Sequence, residues 1–150
     1  MSAAAAVLAC AMALLGRTQS SMPPVVLVAS PPADASPNAE AFVRDGSPII
    51  YVITSSAAFR QARCDKSRTL LKLASVLAHE EWHVVHGAGE REAYEVQLHT
   101  LLRLGATMQS PVYRGVYRSM RTVLRGRERA EAARRRPDDG AALQKQVASR

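Results

Sequence analysis

Aromatic side chains are scarce in this chain, at 5% of 150 residues. A core must therefore be built mainly from Leu, Val and Ala, which excludes an aromatic-rich β-sandwich and favours a small helical core with limited sheet. Cysteine is scarcer still, with Cys10 and Cys64 the only two. They are not spaced as a metal-binding pair. Because Cys10 lies in a leader-like stretch, no disulfide framework is expected. Long apolar runs are also missing. The longest, Ala3 to Gly16, is too short for a comfortable membrane span and has the length of a signal-peptide hydrophobic region. It has no preceding Lys or Arg, and Val7-Leu8-Ala9-Cys10 loosely resembles a lipoprotein cleavage box. We expect residues 1–21 to form a leader and the protein to be exported, whether periplasmic, secreted or membrane-anchored.

What is present fits one domain. Apolar residues make up 47% of the chain, enough for a packed core. Residues 22–38 are rich in Pro, Ser and Ala and suit a linker, with Val25-Val26-Leu27-Val28 as a short strand within it. The globular part is expected to begin near Ala39 and run to about residue 131. Asp45-Gly46-Ser47-Pro48 is turn chemistry, and Ile49 to Thr54 is a β-branched run of strand length. Ser55 or Ser56 caps a short helix through Arg63. Asp65 opens a longer helix from Lys66 to His86, which Gly87-Ala88-Gly89 stops. A further helix runs from Glu90 to Leu104. Another opens at Ser110-Pro111 and carries Val112, Val116, Met120, Val123 and Leu124 at helical spacing. Residues 132–150 read as a disordered tail. The net charge of +7 is concentrated between Arg114 and Arg136. No nucleic-acid motif accompanies these arginines, so no specific nucleic-acid partner is expected. They read as a solvated helix face with the option of contact with an anionic surface.

The informative segment is Leu77-Ala78-His79-Glu80-Glu81-Trp82-His83-Val84-Val85-His86. Two histidines four residues apart on a helix project from one face and can hold a single zinc ion. Glu80 follows the first histidine, rotated ~100° from it. From there its carboxylate can reach water at the metal without ligating the ion, which is the position of a general base. Zinc then requires a third protein ligand. On the following helix Glu90 falls within the inward stripe of Tyr94, Gln97, Leu101 and Leu104, where an uncompensated carboxylate is costly. Glu92 points nearly opposite, Glu95 lies at an edge, and His86 is ~10 Å along the axis from His79. These three remain alternatives to Glu90. His86, Tyr94 and Trp82 are also candidates for second-layer or substrate contacts. Glu81 falls on the core side of its helix and needs a cationic partner. His99 is expected at the surface, and Tyr113 and Tyr117 share one helix face.

These residues resemble the zincin metallopeptidases of the glutamate-ligand (gluzincin-like) branch. The likeness rests on His79, Glu80, His83 and the downstream Glu90-Arg91-Glu92-Ala93-Tyr94, and spans roughly Ser47 to Leu104. The resemblance implies a third zinc ligand at Glu90, with Tyr94 standing where the family usually has Asp. It implies that Ile49 to Ile53 corresponds to the strand whose edge binds extended peptide. The resulting expectation is an α+β fold: a small, mainly helical, minimal zincin-like domain with a short β element before the active-site helix. Its activity would be hydrolysis of peptide bonds in a peptide or protein substrate, with one zinc ion and Glu80 as general base. The alternative is a metal-binding or interaction domain that keeps the fold without the catalysis.

Overall fold

A computed structural model describes residues 2–135. The fold is α+β and mainly helical. In chain order it comprises α1 (Ala3–Leu14), β1 (Val25–Val28), β2 (Ala41–Val43), β3 (Ile50–Ile53), α2 (Ala57–Gln61), α3 (Arg68–His86), α4 (Glu90–Arg103) and α5 (Pro111–Arg135). The three strands form one sheet in the order β1-β3-β2. β1 runs parallel to β3 in the register Val25 to Ile50, and β2 runs antiparallel to it in the register Ala41 to Val52. The strand expected just before the active-site helix is therefore the central strand of a sheet, with both its edges already paired. An unpaired edge beside α3 belongs to β2 instead.

α3 organises the molecule. Every residue from Leu73 to Glu80 is buried, as expected of a helix covered on several sides rather than along one stripe. The larger core cluster brings Leu8, Ala11 and Met12 of α1 together with Ile50 and Val52 of β3, Phe59 of α2, and Leu70, Leu73, Ala74 and Leu77 of α3. A smaller cluster joins Leu98 and Leu101 of α4 to Val112 and Val116 of α5. Tyr113 packs against this second cluster, whereas Tyr117 and His99 are exposed. Removing the side chain of Leu73, which has no exposed surface, is expected to destabilise the domain by about 2–5 kcal/mol in denaturant titration.

The local stops and starts follow the chemistry of individual residues. Ser67, not Asp65, caps α3: its hydroxyl accepts from the Leu70 amide. Asp65 instead accepts from the Ser67 amide at 2.9 Å. The helix cannot begin at Lys66 because that residue has φ +53°, a left-handed conformation incompatible with an α-helix. Ser56 caps α2 through the Phe59 amide, and that helix ends at Gln61, two residues before the expected Arg63. Gly87, at φ +90°, ends α3 as its position predicts, and Pro111 opens α5.

The N-terminal third differs most from expectation. The proposed leader contains α1, which packs on α3, and the proposed linker contains β1, a full member of the sheet. The packed domain therefore starts at α1 rather than near Ala39. Cys10 of α1 is disulfide-bonded to Cys64 in the α2–α3 loop, with 5.6 Å between Cα atoms. The expectation of no disulfide fails because it set Cys10 apart from the fold. Among the described residues no helix is long and apolar enough to cross a membrane. α5 continues to Arg135, so residues 132–135 of the expected tail are helical. The remainder of that tail, including Arg136, lies outside the described residues.

Candidate metal centre

The last two turns of α3 present His79 and His83 toward the start of α4. Their Nε2 atoms are 3.1 Å apart, as the spacing of four residues demands. His83 is fixed by its other nitrogen: Nδ1 lies 2.6 Å from the Gly87 carbonyl oxygen. A carbonyl only accepts, so Nδ1 carries the hydrogen and Nε2 is left as the donor atom for a ligand. The glycine that ends the helix thus also orients the imidazole. His79 is buried, with the ring edge of Tyr94 packed against it at 4.7 Å between centroids. Its Nδ1 is buried with no hydrogen-bond partner among the described residues.

Glu90 is the first residue of α4 and closes the group. Its Oε2 is 3.6 Å from His79 Nε2, and its Oε1 is 3.7 Å from His83 Nε2. Ligand atoms from His79, His83 and Glu90 all lie within 4.8 Å of one another, which makes this triad a group able to hold a metal ion. The two imidazoles hold the Glu90 carboxyl well below the usual carboxylate range. Reciprocally, Glu90 raises the pKa of His83 above its ordinary 6.5. The short α3–α4 turn is tightly fitted. A Cβ on Gly89 would come within 2.7 Å of the Trp82 indole, so the small residue lets α4 begin close enough for Glu90 to reach the histidines.

Glu80 is buried to 8% exposure, and loss of hydration raises its pKa, partly opposed by His79 and His83. Its side chain borders a cleft of about 1600 Å³ that also receives His79, His83, Glu90 and Tyr94. β2 with its flanking residues and part of α5 also line it. Burial, followed by the nearby Glu90 charge, pushes the Tyr94 hydroxyl up to about 12. Two ties brace the surroundings. Gln97 of α4 donates to the Ser75 hydroxyl of α3 at 3.3 Å, and Lys72 pairs with Glu40 at 2.5 Å.

The remaining candidates separate clearly. Glu92 and Glu95 are exposed, and neither joins the triad. His86 also stands apart from the triad: it stacks on Trp82 at 4.7 Å, is exposed, and directs Nδ1 at the Trp82 carbonyl. Trp82 packs edge-on to His83, but neither Trp82 nor His86 lines the cleft. Tyr94 does. Glu81 finds its cation in Arg17, at 3.3 Å. The arginines of α5 are exposed, consistent with a solvated face, with one exception that the sequence did not single out. Arg127 donates from Nη2 to Glu90 Oε1 and from Nη1 to the Ala88 carbonyl, both at 3.2 Å. Its separation of 37 residues from Glu90, within a run of similar arginines, leaves no local signal that could mark it. Comparison with protein-family models, with curated proteins and with solved structures returns no match to this chain.

Proposed function

We propose that this protein is a zinc-dependent hydrolase of peptide bonds, resembling the glutamate-ligand zincins, with His79, His83 and Glu90 holding the ion and Glu80 as general base. The observation that carries this reading is the spacing of the donor atoms. Tetrahedral zinc with bonds of about 2.0–2.1 Å requires ligand atoms roughly 3.3 Å apart. The two Nε2 atoms are 3.1 Å apart, the nearest Glu90 oxygens are Oε2 at 3.6 Å from His79 and Oε1 at 3.7 Å from His83, and one donor atom from each residue lies within 4.8 Å of the other two. The donor set, two imidazoles and a carboxylate, is one zinc uses in catalytic sites. Zinc held there supplies Lewis acidity, which makes water more acidic and polarises a scissile carbonyl.

The chain's own groups then have distinct tasks. Glu80 takes a proton from the attacking water and can return it to the leaving amine, a role favoured by a carboxylate whose pKa burial has raised. Tyr94 keeps its proton at neutral pH and is suited to donate a hydrogen bond to a developing oxyanion. The unpaired edge of β2 along the cleft suits an extended peptide, which can add to a sheet edge through main-chain hydrogen bonds.

Metal analysis of the purified protein tests the reading. We expect about one zinc per chain, and His79→Ala should weaken binding by more than roughly 100-fold. Metal-free protein from the wild-type sequence, still unable to take up added zinc, would overturn it. Protons compete for the same donors. The raised His83 pKa means that imidazole is already protonating as pH falls toward 6.5. Zinc affinity is therefore expected to decline with acidification from above that value, as read by titration calorimetry across pH. A second reading, a metal-binding domain without hydrolysis, is favoured by one observation: no acid among the described residues supports His79 Nδ1, a contact that usually orients a zinc-bound histidine. Stoichiometric zinc with no cleavage of a broad peptide library would select this second reading.

A further inference from the structure

The two oxygens of Glu90 are not equivalent. Oε2 faces His79 at 3.6 Å, whereas Oε1 lies 3.7 Å from His83 Nε2 and accepts a hydrogen bond from Arg127 at the shorter distance of 3.2 Å. The same guanidinium is anchored a second time on the Ala88 carbonyl, so it spans the α3–α4 turn as a fixed fork rather than a loose counter-charge. It arrives from α5, whose buried residues are only Val112 and Val116, well before position 127. Apolar packing of α5 thins to the partly buried Met120, Val123 and Leu124 before Arg127 reaches back to this carboxylate, with half its side chain exposed.

We propose that Arg127 is a positioning residue that occupies Glu90 Oε1 and so restricts the carboxylate to one-oxygen ligation through Oε2. The inference rests on the metal reading above. Its consequence is a coordination position kept open. Two imidazoles and one carboxylate oxygen leave a tetrahedral site with room for water or a substrate carbonyl, whereas a carboxylate free to swing both oxygens onto the ion would close it. The Ala88 contact holds the guanidinium in register, which a Lys ammonium reproduces only in charge.

Cobalt-loaded protein provides a test independent of turnover, because four-coordinate cobalt(II) absorbs visible light far more strongly than five- or six-coordinate cobalt. Arg127→Ala is expected to lower the visible absorption of the fully loaded protein by about twofold or more, through a changed carboxylate contact. Arg127→Lys should recover part of the loss. Arg127→Met, which keeps the aliphatic stem along α5, serves if the alanine variant does not fold, with folding checked by circular dichroism. An unchanged cobalt spectrum in folded, fully loaded Arg127→Ala or Arg127→Met overturns this inference alone. Failure of the wild-type chain to take up cobalt or zinc overturns the metal reading, and this inference falls with it.

Discussion

Glu80→Gln is expected to reduce peptide hydrolysis by roughly 10²- to 10⁴-fold, the usual contribution of a positioned general base, while zinc content stays at one per chain. The two outcomes separate because Glu80 lines the same cleft as His79, His83 and Glu90 without belonging to the group able to hold a metal. Glutamine preserves shape and removes only the ability to accept a proton. The variant should not be destabilised, since it replaces a carboxylate that loss of hydration disfavours with a neutral amide. Unchanged thermal stability, retained zinc and lost cleavage together would identify the residue as chemical rather than structural. Cleavage at the wild-type rate would remove Glu80 from the mechanism.

The second large effect lies at the other end of the same helix. The Cys10–Cys64 bond closes a loop with a sequence separation of 54, for which chain-entropy arguments give about 4 kcal/mol of stabilisation. A domain of this size has total stability of about 5–15 kcal/mol, so Cys64→Ser, or reduction, removes a substantial fraction of it. A fall in melting temperature of roughly 8–16 °C is expected. The metal site should persist below that temperature. Twelve residues of helix, ~18 Å, separate the Ser67 cap from His79, and α4 and α5 pack chiefly on α3 and on each other. A melting curve indifferent to reductant would show that α1 contributes no more than its apolar contacts.

The features readable from sequence are those fixed by a few neighbouring residues. The spacing of His79 and His83 is a property of one helix, and Gly87 announces where that helix stops. Glu90 was placed by the wheel of α4, because a carboxylate among Tyr94, Gln97 and Leu101 needs compensation wherever the helix packs. The same geometry leaves His86 ambiguous, since rotation alone cannot say that it turns back to stack on Trp82. What was not readable depends on distant partners. An apolar dozen residues such as α1 has the same composition whether it is destined for a core or for an export channel, so the packing of Leu8 and Met12 and the pairing of Cys10 were hidden together. β1 could be recognised as a strand, but not its parallel alignment with β3. Arg127 could not be distinguished from its neighbours, because all of them suit a solvated face and only the approach of α5 to the α3–α4 turn selects one.

The bridge between the first helix and the loop before α3 makes positions 10 to 64 a closed covalent ring. All three strands lie inside that ring. Opening the peptide backbone anywhere along it, for instance in the segment between α1 and β1, yields two polypeptides that the disulfide still holds together. Under oxidising conditions, α1 would keep its seat against Leu73 and Leu77 after such a cut and depart only once the sulfurs part.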